Sequence, residues 1–286
     1  MPVGDVVGLW CYPVKSMQGV ELNAATLNER GLLGDRAYAV LDNDTGHIAS
    51  AKHPRKWARL FECRAAYESP PEPGIPRPPV RITLPDGATV SSAQPDIDQV
   101  LSRALGRDVS LITEAPAKPT READRTPLDG TRREEVINQE DMALAAPPGT
   151  FFDYASVHVL TTATLDRLHK VYSAGRFEVR RFRANIVVAP AAGKRGYVEN
   201  EWLGRLLRAG KGARLQVIDP CPRCVVTTLA QSDLPRDAGI LRAIATHNSA
   251  ASVTLAPGVM FPGVAGVYAR VCGEGALRLG DTVYLD

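Results

Sequence analysis

Short apolar or alternating runs, separated by turn residues, fill the first third of the chain. Runs that begin at Val6, Arg36 and Val80 predict β-strands, and a Pro-Asp-Gly triplet at 85–87 predicts a tight turn. A further strand is predicted over 59–67. Many short strands joined by frequent turns are typical of a barrel or a sandwich. We therefore expect the N-terminal part of the chain to be rich in β-structure.

Helical periodicity is confined to two segments. Apolar residues spaced three and four apart predict one helix over 96–105, ended by Gly106, and another over 162–171. Residues 114–150 lie between them, are rich in Pro, Arg and Asp, and show little periodicity, which predicts a linker or a long active-site loop. The later apolar runs predict strands over 157–160, 184–189, 266–272 and 280–285.

The pattern as a whole predicts a chain that is mainly β with some α. Its 286 residues are enough for one large or two medium domains. The change of pattern predicts an N-terminal β-barrel-like domain over 1–113, the linker or active-site loop over 114–150, and a C-terminal domain over 151–286.

Composition narrows the range of partners. Charged residues make up 23% and the net charge is +2, with no basic stripe interleaved with aromatic residues, so no nucleic-acid partner is expected. No apolar run approaches the roughly 20 residues that span a bilayer, so no membrane partner is expected. The strand near Val6 leaves no room for a signal peptide, and the five unevenly spaced cysteines are typical of reduced thiols. These features predict a cytoplasmic protein.

The chemically most distinctive segment is C-P-R-C at 221–224, between two β-branched runs that predict strands on either side. A thiolate is a soft metal ligand, and Arg223 is expected to lower the pKa of a neighbouring thiol. A closed zinc site needs four ligands, and the other three cysteines are scattered singly. A thioredoxin-type pair opens a helix, whereas residues 225–228 favour a strand. A metal ligand, a persulfide carrier and a structural pair of buried thiols stay open.

Cations and polar donors recur at predicted strand ends in four separate segments. Lys15, Arg36, Arg183 and Arg223 are together suited to bind a phosphate, with guanidinium groups fixing its orientation. Taken singly, each of the four fits equally well as a surface charge or as half of an ion pair.

The four segments resemble motifs of the MOSC family, whose members are related to the C-terminal domain of molybdenum cofactor sulfurase. They are Y-P-V-K-S at 12–16, G-D-R at 34–36, F-R-A-N at 182–185 and C-P-R-C at 221–224. The likeness is closer to two-part members, which include the mitochondrial amidoxime-reducing component and its bacterial relatives. It implies an N-terminal MOSC-type β-barrel and a β-barrel-like MOSC domain. Ala184 departs from the family pattern, because relatives often carry Pro in this position.

The resemblance implies bound molybdenum cofactor, a molybdenum held by a pterin, with Cys224 as the metal ligand and catalytic residue. The implied cofactor contacts are Lys15, Ser16, Arg36, Thr161, Thr162, Arg183, Asn185, Arg223 and Cys224. For Cys221 the resemblance leaves three roles open: a persulfide site, a residue behind the metal ligand, or a bystander.

The function implied is that of an oxidoreductase that reduces small N-hydroxylated or N-oxide substrates by oxygen-atom transfer. The sequence has no plant-type iron–sulfur motif, so the electrons are expected from an external ferredoxin- or flavoprotein-type reductase chain. Candidate substrate contacts in the loop over 114–150 are Asp124, Asp129, Glu134 and Glu135. Two alternatives stay open: a cysteine-persulfide sulfur carrier served by a cysteine desulfurase, and a non-catalytic carrier of the cofactor.

Overall fold

The computed structural model describes residues 1–125 and 136–286. Within them the chain forms two compact units. Unit 1 consists of residues 1–10, 21–32 and 155–286, and unit 2 of residues 11–20 and 33–154. Unit 1 therefore combines the two ends of the chain. The division into domains over 1–113, 114–150 and 151–286 stays a prediction.

Strands outnumber helices in the described residues, which confirms the prediction of a mainly β chain with some α. In chain order the strands are β1 (Pro2–Cys11), β2 (Val20–Leu22), β3 (Ala24–Asn28), β4 (Gly31–Leu32), β5 (Ala39–Asp42), β6 (Arg64–Tyr67), β7 (Val80–Thr83), β8 (Thr89–Ser91), β9 (Val109–Ile112), β10 (Thr120–Asp124), β11 (Ile137–Asp141), β12 (Val157–Thr161), β13 (Ile186–Pro190), β14 (Leu206–Ala209), β15 (Ala213–Pro222), β16 (Ser249–Ala251), β17 (Met260–Pro262), β18 (Val264–Gly273), β19 (Gly275–Arg278) and β20 (Thr282–Leu285). The α-helices are α1 (Pro54–Glu62), α2 (Ile97–Leu105), α3 (Thr162–Val171), α4 (Val179–Phe182) and α5 (Ala238–His247). Two 3₁₀-helices are η1 (Val198–Trp202) and η2 (Val225–Thr228).

Unit 1 contains a closed β-barrel. Seven strands follow one another in the order β13-β12-β18-β15-β14-β20-β1, and β1 pairs with β13 to close the ring. The pair β12–β13 is parallel, and its connection contains α3 and α4, as a parallel pair requires a crossover. Helices α3 and α5 bury Leu168 and Ile244 in one apolar cluster with Phe182. This packing fixes both ends of the connection from which the candidate site is built.

The described residues of unit 2 form small sheets and two helices. The strands pair as β6-β7-β8, β5-β9 and β10-β11. Its core joins Val14 and Val40 to Leu60 of α1 and Leu101 of α2. Helix α2 ends at Gly106 in the left-handed conformation, as its sequence predicts.

Three sequence predictions of local structure are wrong. The strand predicted over 59–67 is replaced at its start by α1, because Pro54 favours a first helical turn and buried Trp57 and Leu60 are three residues apart. The lack of regular structure expected over 114–150 is the second error, since the segment contains the antiparallel pair β10–β11, while its role as a linker or active-site loop stays a prediction. Its alternation is hidden in the sequence because the buried position Arg121 carries a charged side chain. The third error, after Cys224, belongs to the site described below.

Within the described residues, no helix is both long enough and apolar enough to cross a lipid bilayer.

Candidate functional site

The C-P-R-C segment forms the end of a barrel strand and the turn after it. Cys221 lies in β15, and Cys224 is the residue that caps η2. The strand predicted after Cys224 is wrong, since residues 225–228 form a 3₁₀-helix. The backbone N–H and hydroxyl of Thr227 both donate to the carbonyl oxygen of Cys224, at 3.1 and 3.0 Å. These local hydrogen bonds outweigh the strand preference of the β-branched residues.

The two thiols of this segment differ in accessibility. Cys221 is completely buried, whereas Cys224 is half-buried. Cys11 and Cys63 are buried and Cys272 is exposed. Across residues 1–125 and 136–286, no three His, Cys, Asp or Glu side chains are grouped to hold a metal ion. Of the C-P-R-C pair, Cys224 is therefore the thiol that an incoming group reaches.

Arg223 bonds to Cys221 and to the chain before Arg183. Its Nη1 donates to the Cys221 sulfur at 2.6 Å and its Nη2 donates to the Phe182 carbonyl at 2.7 Å. Burial raises the pKa of the Cys221 thiol, and Arg223 only partly offsets this effect. Arg223 lowers the pKa of the Cys221 thiol as expected, but burial raises it by more, so the pKa lies above its ordinary value.

Arg181 of α4 donates hydrogen bonds to backbone carbonyls of the segment after Cys224. Its guanidinium is completely buried and donates to the carbonyls of Thr227, Leu229 and Pro235 at 3.2, 3.1 and 2.8 Å. Sequence reasoning selected Arg183 and missed Arg181. The two arginines flank Phe182 symmetrically, so no signal in the sequence says which one enters the interior.

Arg183 follows the last residue of α4, and its backbone is in the left-handed conformation, with φ +55°. The residue is half-buried. A proline at position 184 disfavours this backbone for the residue before it, because such a residue prefers an extended ψ. Ala184, the departure from the family pattern, removes that restriction. The observed ψ of Arg183 is 37°.

Asn185 joins three barrel strands. Its Oδ1 accepts from the backbone N–H of His158 at 3.1 Å, and its Nδ2 donates to the carbonyl of Trp10 at 3.3 Å. Its own backbone N–H and carbonyl bond to the same two residues, at 2.9 Å each. Both ends of the carboxamide are thus engaged with backbone, which fixes the chain two residues after Arg183.

Thr161 and Thr162 lie where β12 passes into α3. The Thr161 hydroxyl accepts from the N–H of Thr164 and so caps the helix, and it donates to the carboxylate of Glu199 at 2.5 Å. Burial raises the pKa of Glu199, with the Thr161 hydrogen bond opposing that rise. Thr162 is the first residue of a ten-residue helix, whose N-terminal N–H groups favour an anion.

In unit 2, the segments around Lys15 and Arg36 run side by side. Val14 and Tyr38 form a parallel bridge, and the Lys15 N–H donates to the Tyr38 carbonyl at 2.9 Å. The Lys15 ammonium donates to the Phe151 carbonyl and to Asp153, at 3.0 and 2.5 Å. Burial lowers the pKa of Lys15 to about 8, although Asp153 acts in the opposite direction.

Asp153 also forms ion pairs with two other cationic side chains of unit 2. Its carboxylate lies 3.0 Å from Lys52 and 3.2 Å from Arg121. Burial alone raises the pKa of Asp153, but Arg121, Lys15 and Lys52 together hold it well below its ordinary value. Glu140 also pairs with Arg121, at 2.7 Å, so three cations face two carboxylates, and the remaining positive charge favours a further anion.

Ser16 and Arg36 complete the group in unit 2. The Ser16 hydroxyl accepts from the N–H of Ala51 at 3.0 Å. The Arg36 guanidinium is paired with Asp35 and lies 4.8 Å from the centre of the Tyr12 ring. Both residues are therefore held by their neighbours rather than extended into solvent.

Three of the predicted contacts share an unusual backbone. Positive φ values occur at Ser16, Arg36 and Arg183, at +66°, +46° and +55°. In the part of the chain that the structure describes, two other non-glycine residues have a positive φ, Ala143 and Ser232. Such conformations cost about 1–3 kcal/mol each and collect at functional sites.

The structure groups the predicted residues by unit. Lys15, Ser16 and Arg36 belong to unit 2, and the others, Thr161, Thr162, Arg183, Asn185, Arg223 and Cys224, belong to unit 1. Of the candidate substrate contacts, Asp124 ends β10. Asp129, Glu134 and Glu135 lie outside the described residues.

Comparison with known families matches both parts of the chain. The MOSC domain matches residues 148–284, and the MOSC N-terminal beta barrel domain matches residues 3–109. The chain belongs to the MOSC family. This confirms the family that its four motifs indicate.

Two human proteins and one solved structure are similar to this member of the family. Mitochondrial amidoxime reducing component 2 of Homo sapiens is 27% identical, over 99% of this chain and 83% of its own length. Molybdenum cofactor sulfurase of Homo sapiens is 25% identical over 79% of this chain, which spans only 26% of that protein. The crystal structure of the YUAD protein from Bacillus subtilis is 12% identical, covers 99% of this chain and 95% of its own, and has a TM-score of 0.44.

The donor set fits the cofactor with which this family is associated. A half-buried thiol, a fixed guanidinium and the N-terminus of α3 are the groups that a thiolate-bound, anionic pterin cofactor needs. The Nε of Arg223 is buried and has no hydrogen-bond partner within the described part of the chain. An ordered water or an oxygen of a bound ligand satisfies a buried donor of this kind.

Proposed function

We propose that the chain is a molybdenum-cofactor-dependent oxidoreductase that reduces small N-hydroxylated or N-oxide substrates. The observation that carries the proposal is the half-buried Cys224, in a segment held by hydrogen bonds of Arg223 and Arg181 to backbone carbonyls. The chain is also similar to an amidoxime reducing component over 99% of its length. When bound, the cofactor supplies two-electron oxygen-atom transfer.

Each proposed contact has a task that its surroundings support. Cys224 is the metal ligand, because its sulfur is reachable and its backbone is held by Thr227. Arg183 and Arg223 of unit 1 supply positive charge for the pterin phosphate, and Lys15 and Arg36 stay contacts proposed from their sequence motifs. Ser16, Thr161 and Asn185 hold nearby backbone through their side chains, and Thr162 begins the helix whose N-terminus favours an anion.

The overall reaction needs two electrons and two protons for each N–O bond that breaks: the oxygen leaves as water, and an N-hydroxyl nitrogen is left carrying a hydrogen in its place. The electrons come from an external reductase chain of the ferredoxin or flavoprotein type. The substrate is a small N-hydroxylated compound, and a cytoplasmic location stays a prediction of the sequence.

Elemental analysis tests this proposal. The wild type and Cys224→Ser are purified from a host that makes molybdenum cofactor, and molybdenum is measured per chain. Near-stoichiometric metal in the wild type, lost in Cys224→Ser, is expected because one thiolate completes the sulfur ligation. Cys272→Ser is the matched control, since Cys272 is exposed and lies outside the site. No molybdenum in the wild type from a competent host contradicts the proposal.

A second candidate function is sulfur transfer. Its support is the similarity to molybdenum cofactor sulfurase over 79% of the chain, together with one reachable thiol in the C-P-R-C segment. A cysteine desulfurase is then the partner, and the Sγ atom of Cys224 carries the transferred sulfur. Mass spectrometry of the metal-free protein decides this, because a persulfide adds one sulfur atom that a reductant removes. The non-catalytic carrier is distinguished by bound cofactor without turnover of any N-hydroxylated substrate.

A further inference from the structure

The Cys221 thiol has no task in the proposed function, yet it is one of the most enclosed groups near Cys224. Its residue has no exposed surface, and its sulfur accepts from Arg223 Nη1 at 2.6 Å. Tyr268 is a further hydrogen-bonding partner of the same sulfur. A buried thiol with two hydrogen-bonding partners is placed to orient one of them.

We propose that Cys221 is a positioning residue: its thiol fixes the Arg223 guanidinium, and through it joins the Cys224 turn to the Arg183 turn. The proposal rests on the proposed function of Cys224. The Arg223 guanidinium is planar, so two contacts on different nitrogens, to Cys221 Sγ and to Phe182 O, determine its position and its plane. Phe182 directly precedes Arg183 in the chain.

Sulfur suits this position for an electrostatic reason. A carboxylate here would hold the guanidinium equally well, but it would cancel the positive charge that an anionic cofactor needs. A neutral thiol is apolar enough to be buried and still accepts a weak hydrogen bond. The Phe182 carbonyl is likewise uncharged. Arg223 therefore keeps its charge while its orientation is fixed, and its buried Nε–H is left for the ligand.

The same geometry argues against Cys221 as the persulfide site. A persulfide adds a second sulfur atom to a side chain that has no exposed surface and that Arg223 already contacts. A desulfurase has no access to that thiol in the folded protein. Sulfur transfer, were it the function, would use Cys224.

Molybdenum content in three variants tests the positioning role. Cys221→Ser keeps a hydrogen-bond acceptor and is expected to keep most of the wild-type molybdenum. Cys221→Ala removes the acceptor and is expected to lower molybdenum per chain by about tenfold, the loss typical of residues that orient a metal site. Cys63→Ala is the control, because Cys63 is also completely buried but contacts a backbone carbonyl rather than an arginine. Where Cys221→Ala does not fold, Cys221→Val fills the volume without an acceptor.

A merely structural role is separated by a double-mutant cycle on the metal-free protein. Thermal unfolding is compared for Cys221→Ala, Arg223→Met and the double variant. Coupled residues give a double variant whose loss in Tm is smaller than the sum of the single losses by about 2 °C or more. Additive losses overturn the proposal, and so do equal molybdenum contents in Cys221→Ala and the wild type. Absence of molybdenum from the wild type refutes the proposed function alone, and the cycle then decides on the Cys221–Arg223 pair.

Discussion

Lys15 shows how far a single side chain is shaped by neighbours that are distant in the sequence. The motif predicts a cation, but not its partner Asp153, which is 138 residues away. Its ammonium is almost completely buried, and burial lowers its pKa to about 8. A lysine of this kind loses its charge within the range of ordinary buffers, whereas an arginine does not.

The free energy of unfolding should therefore depend on pH in a way that is specific to Lys15. The folded protein binds the Lys15 proton more weakly than the unfolded chain, whose lysine pKa is about 10.4. Stability relative to Lys15→Met is therefore expected to rise as the pH increases from 8 to 10, by at most about 1.4 kcal/mol per pH unit. Urea unfolding of both proteins at several pH values measures this difference.

Lys56 is the matched control for that measurement. Burial lowers its pKa, but hydrogen bonds to Asp42 and Glu122 outweigh burial and raise it above the ordinary value. Relative to Lys56→Met, the wild type is expected to keep its advantage up to pH 10 and to lose it at higher pH. A Lys15 difference that is flat between pH 8 and 10 contradicts the lowered pKa.

At the scale of elements, the turn after α4 and the Cys224 segment are tied together by two arginines. Arg223 of the thiol segment donates to the Phe182 carbonyl, and Arg181 of α4 donates to the Thr227 and Leu229 carbonyls. Each segment thereby satisfies polar backbone of the other. The reachable thiol is held by this exchange rather than by the strand that its sequence predicts.

Replacing Arg181 should cost far more than replacing its neighbour Arg180. Arg181→Met leaves several buried carbonyls without a donor, at about 1–3 kcal/mol for each unsatisfied group, so a loss of at least about 3 kcal/mol is expected. Arg180 is half-buried and pairs with Glu178 and the exposed Asp233 rather than with buried carbonyls, so Arg180→Met is expected to cost less than about 1 kcal/mol. Equal losses of free energy of unfolding in the two variants refute the carbonyl role of Arg181.

The largest structure in unit 1 is the barrel, and its closure sets tight limits where strands approach one another. Gly266 of β18 faces β12 with φ +85°. A Cβ there would lie 2.6 Å from the Val159 carbonyl and also overlap the His158 ring. Glycine is needed at this position for its conformation and for the lack of a side chain.

Two alanine substitutions separate these two reasons. Gly280 has nearly the same φ, +87°, and open space around its Cβ position, so Gly280→Ala is expected to show backbone strain alone, about 1–2 kcal/mol. Gly266→Ala adds the clash with backbone and should cost about 1–3 kcal/mol more. Urea unfolding of the two variants measures the difference, and equal losses show that β12 and β18 are not held as closely as described.

The sequence by itself determined the mainly β class, the helices α2 and α3, and membership of the MOSC family. Helical periodicity, a cap at Gly106 and four short motifs are local properties, and local properties can be read without the fold. The same motifs selected the cations Lys15 and Arg36, and the structure pairs them with carboxylates, the half-buried Asp153 and the buried Asp35.

Only the tertiary structure decided which groups are reachable. In the structure Arg181 is buried, whereas Arg183 is only partly buried, and Cys221 is buried, whereas Cys224 is partly accessible. Residues 225–228 form a 3₁₀-helix. For Arg181 the physical reason is that its partners, the carbonyls of Thr227, Leu229 and Pro235, lie 46 to 54 residues away in the chain. Burial and hydrogen bonding across such separations follow from barrel closure, which the local pattern of residues does not contain.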